Sequence, residues 1–250
     1  MKIRRKLATV FALLVVLPIA TSTGCTMLHV RGEDWRSARR DSSLQAPDPA
    51  KHGEAIVQVY GARTVGLRGA LAVHTWIAVK PSGATEYTRY EVIGWGVTRG
   101  YPALRVSQGN ADNYWFGAEP QKLLDRRGEG VDALIDQIEK AAESYPYRDV
   151  YRTWPGPNSN TFVAHVARSV PDLRLELPPT AIGKDFLPNG DLAGRAPSGT
   201  GFQLSLYGVF GVLLALHEGV ELNLLGLSFG VDVGAPAIKL PGLGRIGIPK

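Results

Sequence analysis

Between Ala70 and Lys80 the chain reads "ALAVHTWIAVK", two interleaved sets of side chains with a period of two. Val73, Thr75, Ile77 and Val79 fall on one face; Ala72, His74, Trp76 and Ala78 fall on the other. That spacing, rich in β-branched residues, predicts a strand. "EAIVQVYGA" before it predicts another strand and opens the folded part. After the turn "PSGAT", "TEYTRYEVIGWG" returns as an antiparallel partner, and a weaker run follows from Ala103 to Ser107. The period then changes. Val131, Leu134, Ile135, Ile138, Ala142 and Tyr145 recur at helical spacing with Asp132, Asp136 and Glu139 outside, and Pro146 ends the pattern. A second helix is predicted beyond "WPGPNSNT", burying Phe162, Val163, Val166 and Val170. The fold class this implies is α+β, an antiparallel sheet with packed helices.

The two ends differ from this core. Lys2, Arg4, Arg5 and Lys6 precede the apolar run Leu7 to Ala20 and the small residues "TSTG". This is the layout of a secretory signal over residues 1–24, and the apolar run from Leu7 to Ala20 falls short of the roughly 20 residues of a membrane-spanning helix. An uncleaved anchor is the other reading. Residues 25–52 are charged and Pro-containing without a period, as in a tether, and 53–188 form the core. Residues 189–201 read as a low-complexity linker, and 202–250 as a Gly-rich apolar β segment. No charge occurs from Phe202 to Leu216, and "VELNLLGLSFGVDV" alternates. A β-meander is expected, either buried on the core or lying against lipid.

Charge alters the picture only locally. Of the net +5, four charges belong to the N-terminal segment, leaving 24 basic against 23 acidic residues. Such a balance offers no electrostatic footprint for nucleic acid, which is excluded as a partner. The single cysteine, Cys25, follows Gly24 in "STGC". This resembles the lipobox of bacterial lipoproteins, whose cysteine is lipidated, although Ser22 stands where a large aliphatic residue is usual. The resemblance implies a membrane-anchored lipoprotein of the bacterial cell envelope, facing the periplasm, with membrane lipid as its N-terminal partner. Plain signal cleavage nearby is the alternative. Either way the core has no cysteine, hence no disulfide, thiolate metal site or thiol nucleophile.

Candidate chemistry concentrates on few residues. The five histidines show no metal-ligand spacing, "GPNSNT" lacks the pattern of a phosphate loop, and no cofactor is implied. Ser159 stands at a predicted helix mouth, where unpaired amides stabilise an anionic nucleophile or an oxyanion. His74 on its strand could serve as base, with Glu91 of the returning strand orienting it. Trp76, Asn158 and Trp154 are candidate substrate contacts. Asn158 and Ser159 are equally suited to capping the helix. Asn110, Asp112 and Asn113 precede Trp115 and Phe116 in a loop that lines a cleft or forms a surface turn. Lys184 and Asp185 are expected as a solvated pair.

A strand histidine followed by "NSNTF" resembles the circularly permuted papain-like superfamily, which includes lecithin-retinol-acyltransferase-like and cell-wall amidase-like proteins with the motif Asn-Cys-x-x-Phe. Ser159 falls at the cysteine, Asn158 and Phe162 flank it, and His74 falls at the histidine. Serine in place of cysteine weakens the nucleophile, because a hydroxyl needs an adjacent base almost completely. "HTWIAVKPSGATEYTRYEVIGWG", the segment from Trp154 to Phe186 and the Gly-rich tail also resemble an uncharacterised bacterial envelope family, a domain of unknown function. The expectation is an exported binding or scaffold module for cell-wall peptide or lipid, without catalysis. The alternative is a serine-dependent amide or ester hydrolase or acyltransferase using Ser159 and His74.

Overall fold

The computed structural model describes residues 2–30 and 36–250. It contains two antiparallel sheets and a few helices, a mixed α+β chain that is mostly β. Helices α1 (Lys2–Phe11) and α2 (Leu17–Val30) flank a π-helical stretch, Ala12–Val16. No helix among the described residues is long and apolar enough to cross a membrane. Helix α2 continues through Gly24 and Cys25, so no break marks the boundary expected there.

The first sheet is built from β1 (Ile56–Arg63), β2 (Val73–Lys80), β3 (Tyr87–Val92), β4 (Leu104–Gly109) and β5 (Gln121–Arg127), in the order β4-β3-β2-β1-β5. Strand β5, "QKLLDRR", has no sequence signal of its own. It is an edge strand held by its ladder with β1 and by Asp125, which accepts from Lys122, Arg127 and Gln58. The Ile77 and Val79 face of the sheet packs under α3 (Val131–Glu143) and α4 (Ser159–Ser169), burying Ile135, Ile138, Phe162 and Val166. Each such side chain contributes about 1.5–3 kcal/mol relative to exposure.

The opposite face carries Tyr60, Trp76, Ala78 and Tyr87 and is also covered. Part of its cover comes from the stretch expected as a tether. Residues 31–35 of that stretch lie outside the described residues, but Ser42 to Pro47 are fastened to the loop at Asp112 and to β3, with Ala46 packed on the aromatic cluster. The Asp112 carboxylate explains this. It accepts hydrogen bonds from the Ser42 and Ser43 hydroxyls and from the backbone N–H of Gln45 and Ala46, while the Tyr87 hydroxyl donates to Pro47 O at 3.0 Å.

The C-terminal region is a seven-stranded meander in sequential order: β6 (Ala193–Arg195), β7 (Gly201–Leu206), β8 (Phe210–Ala215), β9 (Gly219–Leu224), β10 (Leu227–Asp232), β11 (Ala237–Leu240) and β12 (Gly244–Gly247). Strand β6 lies inside the stretch expected as a linker. Between β9 and β10, Leu225 and Gly226 both take positive φ (56° and 80°), the backbone that a two-residue hairpin turn needs. The alternation expected in this region is present, but its sense is unusual. Gln203, Ser205, Glu221, Asn223, Ser228 and Lys239 are buried, and the leucines and valines between them are exposed.

The buried polar face meets the loop that follows α4. Lys184 and Asp185, expected in solvent, are 2% and 5% exposed. Glu221 lies between two ammonium groups, Lys184 Nζ and Lys239 Nζ, each at 2.5 Å. Lys239 also meets Glu176 at 2.6 Å, and Asp185 accepts from Gln203 and Asn223 at 3.0 and 2.8 Å. Asp185, 3.3 Å away, and Glu221 together outweigh the desolvation that would lower Lys184, and hold its ammonium above its ordinary value. Replacing Glu221 by Ala leaves two buried cations face to face. The expected loss is about 3–5 kcal/mol of unfolding free energy in chemical denaturation. A loss below about 1 kcal/mol, the range of exposed pairs, would mean that water screens the cluster.

Candidate functional site

On the covered aromatic face of the first sheet, β2 and β3 bring three ionisable side chains together. Trp76 pairs with Glu91 across the ladder and Ala78 with Arg89, so all four side chains share a face with His74. His74 Nε2 lies 3.0 Å from Glu91 Oε2, and Arg89 donates to the same oxygen at 2.8 Å. Burial holds the His74 imidazole below its ordinary pKa, against the pull of Glu91. Burial also pushes the Glu91 carboxyl up, but the His74 hydrogen bond and the Arg89 charge outweigh it and keep the carboxylate below its usual range. The state these directions share is a neutral imidazole donating Nε2–H to a charged carboxylate, whose charge Arg89 balances.

Aromatic rings enclose this trio. His74 stacks on Trp115 with centroids 3.6 Å apart, Trp115 stacks on Trp95 at 5.5 Å, and Phe116 meets both indoles edge to face. The Arg89 guanidinium lies 4.2 Å over the Trp76 ring, and the Trp76 indole N–H donates to Ala111 O. His74 is buried, Trp115 half-buried, and Trp95 is 53% exposed. The stack therefore runs from a buried ion pair to a solvent-facing indole. Aromatic pairs of this kind add about 0.5–1.5 kcal/mol each beyond their burial and hold the outer ring in place. Arg89 Nε is buried and has no hydrogen-bond partner among the described residues.

The sequence pointed to His74, Glu91 and Trp76 as site residues, and the structure gathers them. It missed Arg89 and the roles of Trp95 and Trp115. A signal existed for Arg89, two residues before Glu91 and so on the same strand face. Nothing in the sequence showed that the loop holding Trp115 folds back over His74.

The structure does not bring Ser159 to His74. Thr75, the next residue along β2, points the other way and donates to Asn160 Oδ1 at 2.9 Å, with the Ser159 carbonyl also within 3.5 Å. Strand alternation therefore places Ser159 and His74 on opposite faces of the first sheet. The helix mouth is a closed lock. Asn158 Oδ1 accepts from the Asn160 and Thr161 N–H groups, and Thr161 Oγ1 accepts from the Asn158 N–H, a complete capping box. The Asn158 amide donates to Thr153 O and Ile182 O, and that of Asn160 to Val73 O and Ile182 O. Asn158 is thus committed to structure.

Trp154 lies apart from both places. Half exposed, it donates from Nε1 to Leu225 O at 3.1 Å, and its ring covers Gly226, where an added Cβ would sit 2.7 Å from Nε1. It tethers the turn before α4 to the β9–β10 hairpin. Cys25 is exposed on α2. No group of three or more His, Cys, Asp or Glu side chains converges as a metal site among the described residues.

Comparison with known proteins bears on the first sheet and its loop. A family model matches residues 54–186, from the start of β1 to just past Lys184 and Asp185. It covers His74, Glu91, Trp95, Trp115 and the α4 lock, and stops short of the second sheet. No curated protein and no solved structure matches the chain. With more than half of its residues matched, the chain belongs to the family described as Protein of unknown function (DUF3750).

Proposed function

We propose that the protein is an exported, lipid-anchored module of the bacterial envelope that binds cell-wall material without performing chemistry on it. The observation that supports binding over catalysis is the opposition of Ser159 and His74 across the first sheet. A serine hydroxyl has no nucleophilic strength without a base within reach, and the base its sequence suggested is occupied by Glu91 on the other side. The likeness to the permuted papain-like superfamily enters this reading only as ancestry: α4 opens on Asn158 and Ser159 beside an antiparallel sheet, with no reactive pair between them.

The Trp95 shelf suits the binding role. A rigid, half-exposed indole backed by stacked rings offers a flat apolar face, on which the C–H face of a sugar ring or a planar peptide group can rest. The reading takes the ligand to be a cell-wall disaccharide peptide, and the N-terminal contact to be membrane lipid through Cys25.

Soluble disaccharide-peptide fragments are expected to change the intrinsic tryptophan fluorescence on titration. Trp95→Ala should weaken that binding at least tenfold, about 1.4 kcal/mol, whereas Ser159→Ala should leave it unchanged. Equal affinity of Trp95→Ala and the native chain would remove the shelf from the ligand site. Anchoring is checked separately by metabolic labelling with a fatty acid: label is expected on the native chain and not on Cys25→Ser, and equal labelling of both would exclude lipidation there.

A further inference from the structure

The second sheet turns its charges in and its hydrocarbon out. Across six strands one continuous row reads Phe202, Leu214, Val220, Val231, Ile238 and Ile246, each paired in register with the next. All six are exposed, Phe202 to 76%. A parallel row of leucine, valine and phenylalanine runs beside it, from Leu204 through Val212 and Leu222 to Phe229. From β7 to β10 every acidic side chain within the strands, Glu221 and Asp232, is on the buried face. For a sheet with water on its outer side this is the wrong way round. Burying an ion-pair network costs several kcal/mol of desolvation per ion, and exposing the leucines forfeits their burial. The arrangement makes sense when the medium outside is itself apolar.

We propose that this face lies in the hydrocarbon of one lipid leaflet. The proposal concerns the folded domain and does not depend on whether Cys25 is lipidated. Two observations favour lipid over a protein partner. The face offers no ionic group and almost no side-chain donor or acceptor between β7 and β10, whereas protein interfaces carry about one hydrogen bond per 100–200 Å² and a polar rim. Finally, the N-terminal apolar segment is docked on the same sheet. Ser22 of α2 donates to Gly242 O in the β11–β12 turn at 3.0 Å and to Ala70 O at 2.5 Å, and Arg63 donates to Gly242 O at 2.7 Å. Phe11, Leu13, Leu14 and Leu17, ahead of that contact, are exposed. Strands of six residues reach only about 20 Å, and a spanning strand needs about 9–11 residues. The sheet therefore rests in the leaflet rather than crossing the bilayer.

The test uses the full chain carrying Cys25→Ser, with one cysteine introduced at a time for a bimane label: Phe202→Cys and Leu222→Cys on the apolar face, and Glu86→Cys in the exposed β2–β3 turn. Each replaces an exposed side chain, and unchanged circular dichroism verifies the fold. In chain that co-sediments with phosphatidylglycerol–phosphatidylethanolamine vesicles, the labels at 202 and 222 should shift to the blue. Brominated acyl chains should quench them several-fold more than the label at 86. Labels at 202 and 222 that stay water-exposed in the vesicle-bound chain would overturn the proposal. So would labels already buried without vesicles in a species of twice the chain mass by light scattering, since a second copy would then cover the face.

Discussion

Glu221 sits between two ammonium groups, and most of the architecture follows from keeping that carboxylate out of water. Its partners come from different places: Lys239 from β11 of the same sheet, and Lys184 from the loop that closes the first sheet's helical layer. A charge so buried is tolerable only when paired, so the inward placement of Glu221 requires Lys184 and Lys239 to stay beside it. Arg168 of α4 adds a second clamp, donating to Lys184 O and Gln203 Oε1 at 2.7 Å each. Once the polar face of the meander is fixed inward, a period of two leaves no choice for the residues between. Leucine, valine and isoleucine must face outward.

The first sheet and its helices were legible because their patterns match their surroundings. In α3 Val131, Ile135, Ile138 and Ala142, all at helical spacing, are buried, and β2 is covered on both faces, as its two apolar sets imply. Strand β5 was not legible, since an edge strand of charged residues owes its order to a neighbour and to the Asp125 clasp. The cover formed by Ser42 to Pro47 was hidden for a similar reason: what orders it is one carboxylate, Asp112, some seventy residues away. The alternation in "VELNLLGLSFGVDV" revealed strands but not which side faced in. That depended on Lys184 and Asp185, whose charges read as solvent-exposed until their partners on β9 and β11 were placed.

The site was legible in the same uneven way. On adjacent strands and two residues apart in register, His74 and Glu91 were within reach of inference, and they meet. Ser159 was drawn to His74 by its position at a helix mouth, yet the parity of one residue, Thr75, separates them. Two residues expected as substrate contacts serve as fasteners, Asn158 capping α4 and Trp154 tying the preceding turn to the β9–β10 hairpin, while Asn160 ties α4 to β2. What remains accessible is an aromatic shelf on one sheet and a hydrocarbon face on the other.

The orientation of the second sheet is the claim on which the rest depends, and the unfolding free energy of a triple variant tests it most directly. Leu204→Thr, Leu214→Thr and Leu222→Thr together alter only outward positions, each flanked by a buried polar residue or by Leu213. Chemical denaturation of the full chain without lipid should then show a change within about 1 kcal/mol in total, as expected for exposed sites. A loss of about 2–5 kcal/mol for each leucine, the cost of emptying a packed core, would contradict the inward placement of Glu221 and its partners.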